Sequence, residues 1–98
     1  MIIKLYDYNN EMWQLFDEVD SVSYRKIEGQ VQPIPEAEDN ANIIDFTFSA
    51  DKPMNEEMAK NPKVVIDFMN KNQAEETRVF AYSPVYLMNN NGRTIETI

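Results

Sequence analysis

Apolar residues in this chain fall mostly on alternate positions, and a period of two is the repeat of an extended strand with one buried face. Val64, Ile66 and Phe68 share one face of a strand, as do Ile44, Phe46 and Phe48 within 43–49, and Ile3 and Leu5 near the start. Arg78–Tyr82 reads as a further strand, closed by Ser83-Pro84, because proline has no N–H for a ladder. Val85–Asn89 and Arg93–Ile98 flank Asn90-Asn91-Gly92. With Asn91-Gly92 as a two-residue turn needing positive φ at both positions, the register sets Leu87 against Glu96 and Met88 against Ile95.

Near the start, Asn9-Asn10 suits a tight turn, and a hairpin across it pairs Tyr6 with Trp13 and Ile3 with Phe16. A helix also fits Glu11–Asp20, since Met12, Leu15, Phe16 and Val19 lie on an i, i+3, i+4, i+7 stripe. The strand-like composition of 19–24 that follows favours the hairpin. Asp51 and Pro53 open a candidate helix over about 53–60, with Met54 and Met58 stacked at i, i+4 and Asn61-Pro62 closing it. Pro33, Pro35, Glu36, Glu38 and Asp39 make about 29–42 read as an exposed acidic loop. The expected fold is therefore α+β: one domain over 1–98, a mainly antiparallel sheet or roll of six to seven short strands, and one short helix.

Composition then narrows the chemistry. The chain has no His and no Cys, so it lacks the usual general base near neutral pH, a thiolate nucleophile and a Cys-ligated metal centre. Its two glycines, Gly29 and Gly92, provide no phosphate-cradling loop. Carboxylates on successive strand residues face opposite sides, and no calcium-loop spacing is present. We therefore expect no enzyme, no cofactor and no metal site. Met1–Tyr8 holds too short an apolar run for a leader or a membrane span, which suggests a cytoplasmic protein.

The net charge is −8, and it is unevenly spread. Residues 1–49 carry ten acids against three bases, while 50–98 carry seven against six. Such a chain repels nucleic acid and anionic membrane and favours a protein with a basic surface. Asp17, Glu18, Asp20, Glu28, Glu36, Glu38 and Asp39 are the candidate contact residues. Carboxylates two apart on a strand stand about 6.6–6.8 Å apart, close to two phosphate steps of one DNA strand. That spacing would let Glu18 and Asp20 imitate a nucleic-acid backbone; the plainer reading is a solubilising surface.

A second candidate is a small-ligand pocket of Tyr82, Tyr86 and Arg93, where aromatic faces and a guanidinium would hold an anionic nucleotide. Trp13 with Tyr6 and Tyr8 forms either a cross-strand cluster over the core or an exposed anchor for a partner. The C-terminal strand reads as a sheet edge, which would allow a homodimer by strand addition.

The segments Lys4-Leu-Tyr-Asp-Tyr8 and Val85-Tyr-Leu-Met-Asn-Asn-Asn-Gly-Arg-Thr-Ile-Glu96 resemble small accessory proteins encoded by phages and prophages of low-GC Gram-positive bacteria. The likeness rests on the two ends of the chain and carries over no functional residue. It implies a non-enzymatic protein in the host cytoplasm that binds and inhibits a host protein, including the anti-defence inhibitors that act as acidic nucleic-acid mimics. Its alternatives are a protein that sequesters a nucleotide signal and an oligomeric assembly component.

Overall fold

The computed structural model describes residues 1–27, 42–47, 61–71 and 76–98. These residues form eight strands: β1 (Ile2–Asp7), β2 (Met12–Phe16), β3 (Val19–Ile27), β4 (Asn42–Asp45), β5 (Lys63–Asn70), β6 (Glu76–Tyr82), β7 (Tyr86–Met88) and β8 (Thr94–Thr97). They build two four-stranded sheets, ordered β2-β1-β7-β8 and β3-β5-β6-β4. The α+β expectation of six or seven strands is thereby corrected. Among the described residues there are eight strands and no helix; the candidate helix at 53–60 lies outside them, as do 29–41 of the acidic loop. None of the described residues forms a helix long and apolar enough to cross a membrane.

Alternation decides the packing. Ile3, Leu5, Val85 and Leu87 of the first sheet side meet Val64, Ile66, Phe68, Val79 and Ala81 of the second in one buried cluster. Phe16, Ile44 and Phe46 pack against its margin, and the Phe16 ring lies 6.0 Å from Phe46 and 5.1 Å from Phe68. Part of the second sheet is apolar on both faces. Val65 and Phe80 oppose each other on the face turned away from this cluster, yet both are buried. Further along that face Asp67 opposes Arg78, and their side chains pair at 2.7 Å.

Backbone hydrogen bonds join the sheets at both ends. Tyr8 N donates to Phe46 O at 3.1 Å and Phe46 N to Phe80 O at 2.8 Å; at the other end Val19 N donates to Met1 O at 3.0 Å.

The N-terminal hairpin has the register that alternation predicts, Ile3 opposite Phe16 and Tyr6 opposite Trp13, so the helical reading of 11–20 is set aside. Its turn differs. Asp7–Met12 is the last pair, four residues intervene, and the positive φ of 53° falls on Glu11 rather than on either asparagine. The buried Asp7 carboxylate accepts from the backbone N–H groups of Asn9 and Asn10, from Asn10 Nδ2 and from Gln14 Nε2, and so shapes the loop from inside.

The C-terminal hairpin departs in a similar way. Leu87 opposes Glu96 as expected, but a register shift sets Met88 opposite Thr94 instead of Ile95. Only Gly92 takes positive φ, at 83°; Gly92 N donates to Asn89 O, and Asn89 Oδ1 accepts from the N–H groups of Asn91 and Arg93. This is a three-residue turn with a bulged glycine, not a two-residue turn, because the Asn89 side chain stabilises the longer loop. A further correction concerns β4, which ends at Asp45, short of the expected Ser49, and runs parallel to β6. Asp45 closes it by accepting from the Thr47 N–H and hydroxyl.

Candidate functional site

The proposed acidic face is only partly within the described residues. Glu28, Glu36, Glu38 and Asp39 lie outside them. Asp17 and Glu18 form the connection from β2 to β3, and Asp20 follows at the start of β3; all three are exposed. Glu18 stands before β3 rather than on it, so Glu18 and Asp20 are not two positions of one regular strand. Glu18 has φ 53°, and the β3 register shifts between Val19 and Ser21, so the two-residue period is broken where regular mimicry would need it. Asn70 Nδ2 donates to Asp17 O and Lys71 N to Glu18 O, which holds this corner against the end of β5.

Other acids serve the fold. Asp7 and Asp45 organise turns, Asp67 pairs with Arg78, and Glu96 accepts from the Tyr24 hydroxyl, tying β3 to β8. Among the described residues no group of three acids gathers as a metal site would require.

The Tyr82, Tyr86 and Arg93 set is not assembled. Arg93 lies at the β7–β8 turn, whose Asn90 side chain accepts from Met1 N at 2.9 Å beside the start of β1. Tyr82 packs edge-on against Tyr8, just past the opposite end of β1, with ring centroids 5.6 Å apart. Six strand residues separate those ends, about 20 Å. Burial pushes the hydroxyls of Tyr8 and Tyr82 above the ordinary tyrosine value of 10.0, aided by Tyr6 for Tyr8 and by Asp45 and Tyr8 for Tyr82. A raised pKa favours the neutral form in the fold, so this stabilisation is whole below pH 10 and is lost as pH rises through the folded-state value. The urea midpoint is therefore expected to fall from about pH 10 upward, and the double variant Tyr8→Phe/Tyr82→Phe to flatten that alkaline limb.

What the strands do bring together is an aromatic surface on the outer face of the first sheet. Tyr6 and Trp13 are direct cross-strand partners, with ring centroids 5.4 Å apart at 71°. Lys4 opposes both Leu15 and Tyr86, and its Nζ sits 4.8 Å over the Trp13 ring. Tyr86 completes the set, 6.1 Å from Trp13. Trp13 is 48% and Leu15 62% exposed, on the edge strand β2. Lys4 is the one charge on the β1, β2 and β7 part of this face.

Sequence reasoning named Trp13, Tyr6 and Tyr8 as a cluster but missed Leu15 and placed Tyr86 in a different site. The available signal was period two: Leu15 follows Trp13 by two residues, and Tyr86 occupies the outward position opposite Lys4. Comparison with known proteins gives no matching family model, no matching curated protein and no matching solved structure.

Proposed function

We propose that this is a non-enzymatic binding protein that occupies a basic surface of a partner protein, with Trp13 as the anchor of the contact. The observation that carries this reading is the outer face of the first sheet. Trp13, Leu15, Tyr6 and Tyr86 are gathered there around one lysine, in a chain of net charge −8. Aromatic side chains dominate interface energetics, and exposed apolar side chains gathered on one face mark interaction sites. The chain's acidity supplies long-range attraction to a basic partner and sets the association rate. Glu11 precedes β2, Asp17 and Glu18 follow it, and Asp20 opens β3; all four are exposed. Blocking a nucleic-acid-handling protein in this way matches the inhibitor role that the resemblance to phage accessory proteins implies.

The test is recovery of bound protein from source cells with the parent chain and Trp13→Ala in parallel, at low and high salt. A basic partner held by the parent at low salt and released at high salt is the expected result. Trp13→Ala is expected to weaken the purified complex about 30-fold, the size of an aromatic hot spot, without lowering the parent's unfolding midpoint by more than a few degrees. Trp13 is the sole tryptophan, so its fluorescence reports the contact directly. Equal affinity of the two chains refutes the reading.

A further inference from the structure

We infer that β2 is a docking edge. It takes up, as an added strand of the first sheet, an extended segment of a partner protein that carries basic residues at both ends of a short apolar stretch. This inference rests on the binding reading above and specifies how the partner is held.

Among the described residues the two sheets have four edge strands, and three of them carry the features that discourage strand addition. The β3 edge is bulged between Val19 and Ser21 and charged at Arg25 and Lys26. The β4 edge is four residues long and ends on Asp45. The β8 edge follows a register shift and carries Glu96. β2 has none of these. Met12-Trp13-Gln14-Leu15-Phe16 contains no charge, proline or glycine, and its register with β1 is unbroken over all five residues. Met12 is 50% exposed, in addition to Trp13 and Leu15.

Along an edge strand alternate residues turn their N–H and C=O groups away from the neighbouring strand. Among the described residues no hydrogen bond reaches the outward side of β2.

Charge selects the occupant. Glu11 precedes the strand and Asp17 follows it, both exposed. Antiparallel pairing of two copies about Gln14 would bring Glu11 of one against Asp17 of the other. Parallel pairing in register would bring each acid against itself. Like charges directly opposite destabilise a strand pair, so a second copy is disfavoured in both arrangements. A segment with Lys or Arg at each end meets both acidic ends, and β-branched residues between them pack beside Trp13 and Leu15. Backbone pairing with side-chain selection at alternate positions is an established mode of peptide recognition.

The experiment titrates the peptide acetyl-Lys-Val-Thr-Val-Thr-Val-Lys-amide into the full 15N-labelled chain and follows amide shifts, amide hydrogen exchange and Trp13 fluorescence. Expected are saturable shifts centred on Met12–Phe16 and exchange of the outward β2 amides slowed at least about 10-fold. A peptide N-methylated at the alternate positions facing β2 binds about 10-fold weaker, as does a Glu-flanked analogue. The Leu15→Lys chain, altered at an exposed site, keeps its fold and loses about 10-fold in affinity.

Equal binding of the N-methylated peptide, with shifts confined to Tyr6, Trp13 and Tyr86, overturns strand addition and leaves the face reading standing. Absence of binding by every peptide also overturns it, while the partner comparison with Trp13→Ala judges the face reading separately. Concentration-dependent dimerisation that protects the same amides makes a second copy the occupant and overturns the proposal.

Discussion

An Ile66→Ala chain is expected to unfold about 3–4 kcal/mol more easily than the parent, the range for deleting a fully buried isoleucine from a packed core. Ile66 has no exposed surface, opposes Val79 on β6 and Tyr24 on β3, and belongs to the cluster where the two sheets meet. Its neighbours are fixed by ladders on both sides, so the vacated volume cannot close by moving β5 alone. Domains of this size hold about 5–15 kcal/mol in total, so the loss removes a large share. The unfolding temperature is expected to drop by roughly 15–25 °C. Calorimetry or circular dichroism checks this, and Ile95→Ala is the control. Ile95 is 59% exposed, and its truncation should stay within about 0.5 kcal/mol. Equal effects at 66 and 95 would mean that the sheets do not meet through Ile66.

Asp7→Ala is expected to destabilise the chain by about 3 kcal/mol, although the residue lies at a strand end beside a turn. Its carboxylate has no exposed surface and accepts four hydrogen bonds from neutral donors, two of them backbone N–H groups. Alanine leaves those donors to find water at the rim of a packed site, and the loop of Tyr8–Glu11 loses the group that bends it. Asp7→Asn separates the two oxygens. A side-chain amide keeps an acceptor for the Asn9 and Asn10 N–H groups but turns a donor towards Asn10 Nδ2 and Gln14 Nε2. About half of the alanine effect is expected. Urea unfolding followed by Trp13 fluorescence measures both, and a Trp13 signal already shifted in native Asp7→Ala would show that the turn also positions the aromatic face.

How much of this was legible in the sequence depended on the range of the interaction. Period two set the inward faces of β1 and β5, because alternation is a property of each strand alone, and the place of the Asn9-Asn10 turn set the β1–β2 register. It could not show that β4 lies parallel to β6, since that pairing depends on how the chain returns between them. Both turns were located correctly and typed wrongly, for the same reason. Gly92 does supply positive φ but the asparagines do not, and the side chains of Asp7 and Asn89 stabilise longer loops by accepting backbone N–H groups. Asp followed closely by Asn-Asn was the available sign of such an Asx turn.

Net charge is a coarser guide than alternation. Summed charge does not separate a carboxylate buried in a turn, such as Asp7, from a solvated one such as Asp17. The aromatic face was half legible. Trp13 and Tyr6 are opposite each other in any hairpin of that register, but Tyr86 joins them only through the β1–β7 pairing, which links residues more than 80 positions apart.

That pairing bears on how the protein is made. β1 sits between β2 and β7, so the first sheet is completed only once Tyr86–Met88 and then Thr94–Thr97 have been made. A ribosome adding 5–20 residues per second takes of the order of ten seconds to go from Ile2 to Tyr86. Until β5 and β6 have been made, β1 and β2 exist at most as a lone hairpin, which is marginal in water, with the uncharged Met12–Phe16 segment available to any passing strand. The nascent chain therefore gains its native state late and as a whole. A translation product cut short before Tyr86 leaves one side of β1 unpaired, which makes it a substrate for chaperones and proteases.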